Sequence, residues 1–135
     1  MRTPLALFIC LPLAACISSN RVHLDAENAL GPYSASVESR GLVFVSGKGG
    51  TTGGSFADET EAAIRAVEKE LARTNLTLAS VLSVTVFLTD MALYGEFNQV
   101  YARLFPKPYP ARACVAGAAL PANFRVEIQA VASRP

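Results

Sequence analysis

The sequence predicts an α+β domain in which two helices pack against one mixed β-sheet. With 135 residues, the chain can form one substantial hydrophobic core but not two. β-Prone runs occupy both ends of the predicted domain, and two amphipathic segments alternate with a further β-prone run. The resulting order, ββαβαββ, is typical of α+β domains, whereas a doubly wound sheet alternates strands and helices throughout.

The first two strands are predicted at residues 35–38 and 42–45, with a tight turn at residues 39–41 between them. The glycine-rich segment 47–54 comes next. It lacks the Gly-x-x-x-x-Gly-Lys-Ser/Thr order of a phosphate-binding loop, so we interpret it as a flexible hairpin loop.

Two helices are predicted, at Asp58–Asn75 and at Met91 to about Leu104, because apolar residues recur in both at helical spacing. Residues 81–88 between them form a strongly β-prone run. The proline-rich segment 106–110 must be an extended loop, since proline lacks a backbone N–H and restricts the residue before it.

The last two strands carry the residues of greatest chemical interest. The strand at residues 110–115 places Arg112 and Cys114 on one face, because side chains alternate along a strand. A second strand, Phe124–Ala132, brings Glu127. If the two strands paired as an antiparallel hairpin, Arg112 would lie opposite Glu127 on the same face. A forked guanidinium beside a carboxylate suits a small carboxylic-acid substrate, and the alternative is a structural Arg–Glu pair at a sheet edge.

Composition argues against several classes of function. Lys and Arg number 12 against 11 Asp and Glu, and no clustered basic face is visible, so no nucleic-acid partner is predicted. His23 is the only histidine, and no pair of cysteines has metal-ligand spacing, so no metal site is predicted. A cysteine nucleophile would need a histidine base, and His23 lies before the predicted domain.

The N-terminus resembles the export signal of bacterial lipoproteins. An apolar run at residues 5–15 follows a positive charge and is too short for a transmembrane helix, which needs about 20 residues. The Leu-Ala-Ala-Cys sequence that ends at Cys16 resembles a lipobox, in which cleavage precedes the cysteine and lipid is attached to it. The alternative is an ordinary cleaved signal in which Cys16 is incidental.

These features predict a signal peptide at residues 1–15, a lipidated tether at residues 16–28 and one domain at residues 29–135. The protein is then expected in the periplasm, anchored to a membrane through lipid on Cys16, with the outer membrane favoured by the residue that follows. Cys114 would be the one free thiol left after processing, so no intrachain disulfide is predicted.

Several short motifs occur in one order along the chain. They are Gly31-Pro32-Tyr33-Ser34, residues 43–47, residues 84–91, residues 97–101, Pro110-Ala111-Arg112, Leu120-Pro121 and Val126-Glu127-Ile128. The series resembles the RidA (YjgF-type) family of enamine/imine deaminases over about residues 29–133. The resemblance implies a chorismate-mutase-like fold with a mixed six-stranded sheet, two helices on one face and a homotrimeric assembly. It also implies hydrolysis of small 2-imino or enamino acids to 2-keto acids and ammonia, without a cofactor.

The resemblance further implies roles for individual residues. Arg112 matches the position that binds the substrate carboxylate, and Glu127 matches the acid that orients or activates the attacking water. Cys114 matches a position whose backbone shapes the water site. The pocket positions that remain are Tyr33, Ser46 and Asn98. In the family these sites lie between subunits, so two chains are expected to complete each one.

Alternatives stay open at this point. Tyr33 could cap the sheet, Ser46 could be a turn residue at a strand end, and Asn98 could serve a local or trimer contact. Lys48 stands where the family commonly has glutamine, and the glycine-rich loop looks shortened, which puts the substrate in question. The alternative function is a non-catalytic trimer that binds small acids or acts as a chaperone at the envelope.

Overall fold

The computed structural model describes residues 20–26, 29–117 and 119–135, which form one sheet covered on one face by two helices. The strands are β1 (Arg21–Asp25), β2 (Ser34–Ser39), β3 (Leu42–Gly49), β4 (Val81–Leu88), β5 (Ala111–Ala116) and β6 (Val126–Ser133). The helices are α1 (Phe56–Ala72) and α2 (Tyr94–Leu104). The predicted mixed six-stranded sheet with two helices is confirmed.

The strands lie in the order β1-β2-β3-β6-β4-β5, and only the β4–β5 pair is parallel. The predicted hairpin between the last two strands is therefore wrong, because β4 lies between β5 and β6. The physical reason is the α2 crossover, which returns the chain beside β4 in the parallel sense and makes β5 an edge strand. Strand β6 then takes a central place, where its alternate residues Val126, Ile128, Ala130 and Ala132 are all buried.

Strand β1 extends the sheet where a tether was predicted. Residues 21–25 pair antiparallel with β2, so the tether assigned to residues 16–28 is wrong for this segment, and the element order is βββαβαββ. The sequence signal was weak because β1 is a short edge strand with mostly exposed side chains. The predicted signal peptide and Cys16 lie outside the described residues. No helix in the described part of the chain is long and apolar enough to span a membrane.

A local hydrogen bond fixes the start of helix α1. Helix α1 begins slightly earlier than predicted because Ser55 caps it: the Ser55 hydroxyl oxygen accepts a hydrogen bond from the Asp58 N–H at 3.1 Å. A one-turn 3₁₀ helix, Met91–Leu93, leads into α2. The apolar stripes of both helices are buried against the sheet in one continuous core.

Candidate functional site

The guanidinium of Arg112 lies in a cage of aromatic rings on α2. Its Cζ atom is 4.6 Å from the centroid of Tyr101, 5.4 Å from that of Phe97 and 5.7 Å from that of Tyr94. Its Nη2 donates hydrogen bonds to the Asn98 side-chain oxygen at 2.7 Å and to the Tyr94 hydroxyl at 3.3 Å. Cation–π attraction and these hydrogen bonds hold the group in place. We call these five residues the arginine half-site.

Arg112 still has hydrogen-bonding capacity. Within the described part of the chain, its Nε and Nη1 donate no hydrogen bond and no carboxylate lies within ion-pair distance. The structural Arg–Glu pair considered from the sequence is therefore wrong. A guanidinium that is held but has no carboxylate partner can bind an incoming planar carboxylate.

Two protonated groups adjoin this arginine. Burial raises the pKa of Tyr101 to about 12, although the charge of Arg112 opposes the shift. The Tyr101 hydroxyl is buried and has no hydrogen-bond partner among the described residues. Burial also raises the pKa of the Cys114 thiol, again against Arg112. Cys114 is therefore protonated near neutral pH, as expected for a residue that shapes the site without acting as a nucleophile.

A second group of predicted residues lines a cavity of about 860 Å³ elsewhere on the subunit. Tyr33, Ser46, Gly47 and Glu127 all contribute to its wall, and we call these four residues the glutamate half-site. Ser46 is fixed in place because its hydroxyl donates to the backbone oxygen of Ser34 at 2.7 Å. Tyr33 is half exposed. Glu127 makes no ion pair within the described chain, so its carboxylate can accept a proton.

The backbone of β3 makes room for this carboxylate. Pairing with β6 is regular up to Val45 and shifts before Lys48, which places Gly47 in a bulge. A Cβ atom on Gly47 would lie 2.7 Å from Cδ of Glu127, closer than carbon atoms approach. The predicted loop at residues 47–54 is accordingly shorter than expected, since β3 continues through Gly49.

Replacement of Gly47 by alanine is expected to lower activity at least tenfold while changing stability little. The added methyl group collides with the end of a flexible side chain, so Glu127 can turn away without strain in the backbone. The rate of 2-imino acid hydrolysis, the reaction that the resemblance implies, measures the first effect. The urea concentration at the midpoint of unfolding measures the second. The matched control is Gly95→Ala in α2, where nothing lies within 4 Å of the added atom. Unchanged turnover in Gly47→Ala would show that the position of Glu127 is not needed.

The two half-sites do not meet within one chain. Arg112 pairs with Val84 of β4, and Glu127 pairs with Phe87 of the same strand. Val84 and Phe87 are three positions apart, and side chains an odd number of positions apart on a strand point to opposite faces. Arg112 and Glu127 therefore lie on opposite faces of the sheet. The predicted common face for Arg112 and Glu127 is therefore wrong, whereas Arg112 and Cys114 do share a face. Asn98 joins Arg112, and Tyr33 and Ser46 join Glu127.

The cage of Tyr94, Phe97 and Tyr101 around Arg112 was not predicted from the sequence. Positions 94, 97, 98 and 101 follow the spacing of one helix face, so the signal was present as three aromatic rings and an amide in line. From the sequence, Phe97 was interpreted as one of the apolar residues at helical spacing and as part of the motif at residues 97–101. The resemblance placed Asn98, which lies on this face of α2, in one pocket with Arg112, but the enclosure of the guanidinium by the rings depends on how β5 docks, which no local pattern indicates.

Comparisons with known proteins agree with this fold. The model of the family described as Endoribonuclease L-PSP matches residues 23–134. Reactive Intermediate Deaminase A, chloroplastic, of Arabidopsis thaliana is 36% identical over 115 residues, which cover 80% of this chain. The same match spans only 62% of that longer protein.

Two solved structures are also similar. The yeast protein YEO7 has a TM-score of 0.81 and 34% identity, with 86% of this chain and all of that chain covered. Escherichia coli TdcF with bound serine has a TM-score of 0.75 and 30% identity, with 79% of this chain and 91% of that chain covered. Together with the family match, these similarities show that the chain belongs to the Endoribonuclease L-PSP family, in agreement with the RidA-type membership predicted from its motifs.

Proposed function

We propose that this protein hydrolyses small 2-imino and enamino acids to 2-keto acids and ammonia. The observation that carries the proposal is the state of Arg112, which is held by aromatic rings and Asn98 but has no carboxylate partner in the described chain. Such a group suits the carboxylate of a small substrate. The similarities to a deaminase and to a structure with bound serine support a substrate of amino-acid size.

The chemistry follows from the groups available. Arg112 holds the substrate carboxylate while Glu127 accepts a proton from water. The water oxygen bonds to the imine carbon, and the nitrogen takes up a proton to give a tetrahedral carbinolamine. The carbon–nitrogen bond then breaks with its electron pair on nitrogen, the proton that the hydroxyl loses passes to that nitrogen, and ammonia leaves. Imino acid and water thus give keto acid and ammonia without net oxidation, and positioning can supply much of the acceleration.

We further propose a homotrimer in which each site combines the arginine half-site of one subunit with the glutamate half-site of another. The support is the placement of Arg112 and Glu127 on opposite faces of the sheet. The face that bears Glu127 also exposes large apolar side chains, including Phe44 and Val115. A neighbouring copy would cover this apolar surface and bring the two halves together.

Although the family description names an endoribonuclease, we propose a small acid in place of RNA. The net charge of the chain is only +1. RNA-binding domains use clustered basic residues or exposed rings on which bases stack. Here the rings of Phe97 and Tyr101 are buried around Arg112, so they are not free to stack on bases.

The cellular location of the reaction is also a proposal. The sequence pattern of residues 1–16 supports an export signal and a lipid anchor on Cys16. They would place the reaction at the cell envelope.

The test is turnover of imines made freshly by an amino-acid oxidase, followed as release of keto acid above the spontaneous rate. The native protein is expected to accelerate release, and Glu127→Gln is expected to lower kcat by roughly 10²–10⁴-fold, the usual contribution of a general base. Glu68→Gln on the exposed side of α1 is the matched control and should keep native turnover. A native protein that fails to exceed the spontaneous rate, or a fully active Glu127→Gln variant, would refute the proposal.

A further inference from the structure

Two glycines at the end of β3 lie beneath side chains that come from β6 and the turn before it. Gly47 and Gly49 are two positions apart beyond the bulge, so Cβ atoms on them would point to the same face of the sheet, about 7 Å apart. A Cβ atom on Gly47 would meet Glu127, and one on Gly49 would lie 2.6 Å from Cγ of Phe124. The Phe124 ring and the Glu127 carboxylate therefore cover neighbouring positions on one face.

Lys48 stands between the two glycines in sequence but points to the other face. It pairs with Ile128, which is buried beneath the helices, and its Nζ lies 3.6 Å from the Glu70 carboxylate of α1. The charge of Lys48 is therefore on the opposite side of the sheet from the Phe124 ring. On the side of the ring, the cavity wall also includes the apolar side chain of Pro121.

Hydrogen bonds fix the backbone on both sides of Phe124. The Phe124 N–H donates to the backbone oxygen of Pro121 at 3.1 Å, which closes a tight turn before the ring. On the other side, Arg125 donates its backbone N–H and its Nε to the buried carboxylate of Glu59. A ring on a backbone held in this way needs little further ordering when a ligand binds.

The cavity has room for a ligand that reaches the ring. Its volume is about 860 Å³, within the range of small-molecule sites and large for an imino acid with a short side chain. Phe124 is only partly buried and contributes to the cavity wall. Contact between this ring and an apolar group of a ligand removes apolar surface from water, and a second aromatic ring adds a favourable ring–ring contact.

We propose that the Phe124 ring binds the side chain of the substrate, so that the protein acts best on imino acids with an aromatic side chain. This inference rests on the proposed reaction, because it names the substrate class of the same site. The substrate carboxylate lies on Arg112, and the imine carbon lies beside the water that Glu127 activates. The side chain, which begins at the next carbon, then extends over Phe124.

The experiment compares two keto acids that differ only in a terminal phenyl ring, 4-phenyl-2-oxobutanoate and 2-oxobutanoate. Calorimetry on the full-length native protein gives their dissociation constants. We expect the phenyl acid to bind about tenfold more tightly, as the contact of one ring with another allows. Phe124→Ala should remove most of that preference, and Phe124→Tyr should retain it. Leu82→Ala changes an exposed apolar residue outside this cavity and, as the control, should keep the native ratio.

A second variant displaces the ring without deleting it. Gly49→Ala places a methyl group where the Phe124 ring now lies, so the ring must turn away. The preference for the phenyl acid should fall as it does in Phe124→Ala. Urea unfolding of each variant shows that the protein is folded under the conditions of the binding experiment.

Each outcome decides between the proposals. Equal native affinities for the two acids, or a native ratio in both Phe124→Ala and Gly49→Ala, would overturn the role of the ring. Equal loss of affinity for both acids in Phe124→Ala would also overturn it, since the ring would then support the site without contacting the side chain. A Phe124-dependent preference without imine turnover would refute the reaction and leave the ring contact standing. Turnover of the two matching imines with equal kcat/KM and equal affinities would refute the aromatic class alone.

Discussion

Replacement of Arg112 by alanine is expected to lower kcat/KM for imino acids by roughly 10²–10³-fold or more, because the substrate carboxylate loses its charged partner. Lysine should not restore activity. It lacks the planar fork, and it cannot reproduce both the ring contacts and the hydrogen bond to Asn98. Turnover of freshly made imines gives the measurement, and Arg103→Ala, an exposed arginine on the same helix as Asn98, is the control.

Mixed assemblies distinguish a catalytic loss from a folding defect. Subunits carrying Arg112→Ala and subunits carrying Glu127→Gln are each expected to be nearly inactive. After unfolding and joint refolding of equal amounts, about one quarter of the sites in randomly assembled mixtures should combine an intact Arg112 with an intact Glu127 from the neighbouring subunit. Mixtures no more active than the separate variants would show that both groups must come from one chain.

Replacement of Arg125 by alanine is expected to destabilise the fold by about 3–5 kcal/mol, a large part of the stability of a domain of this size. Arg125 donates its backbone N–H and its Nε to the carboxylate of Glu59, both at 2.6 Å, and that carboxylate is only 1% exposed. Without the arginine side chain, a buried negative charge keeps a single backbone donor. The urea dependence of unfolding measures the loss.

Arg134 offers a matched comparison. It also contacts both oxygens of a glutamate, Glu38, each at 2.7 Å, but the Glu38 side chain is 23% exposed, whereas that of Glu59 is 1% exposed. Arg134→Ala should therefore cost much less than Arg125→Ala. Adding Glu59→Leu to Arg125→Ala should recover part of the stability, since the uncompensated charge disappears. Equal losses for the two arginine variants would show that burial of Glu59 is not the cause.

Local features of the fold could be predicted from the sequence. The strand at residues 81–88 has the predicted bounds because its β-branched residues alternate in the core. Arg112 and Cys114 share a face for the same geometric reason. In contrast, β1 was missed because an exposed edge strand of five residues leaves little hydrophobic pattern.

The arrangement of the site depends on non-local geometry that the sequence does not encode in any single segment. Glu127 and Arg112 are close in sequence, and this favoured a hairpin that the structure excludes. Insertion of β4 between their strands changed both the pairing and the face on which each side chain lies. The role of Gly47 was likewise hidden, because it depends on a bulge opposite a side chain from β6.

The placement of Arg112 and Glu127 on opposite faces has a consequence for how activity scales with protein concentration. In the proposed two-subunit site, a solitary subunit would hold both reactive groups without bringing them to one substrate molecule, so catalysis would be a property of association. By mass action, specific activity should fall on dilution below the dissociation constant of the assembly and return on concentration. Newly made chains would thus remain inactive until they associate. The total activity in a cell would then rise more steeply than linearly with the concentration of the protein.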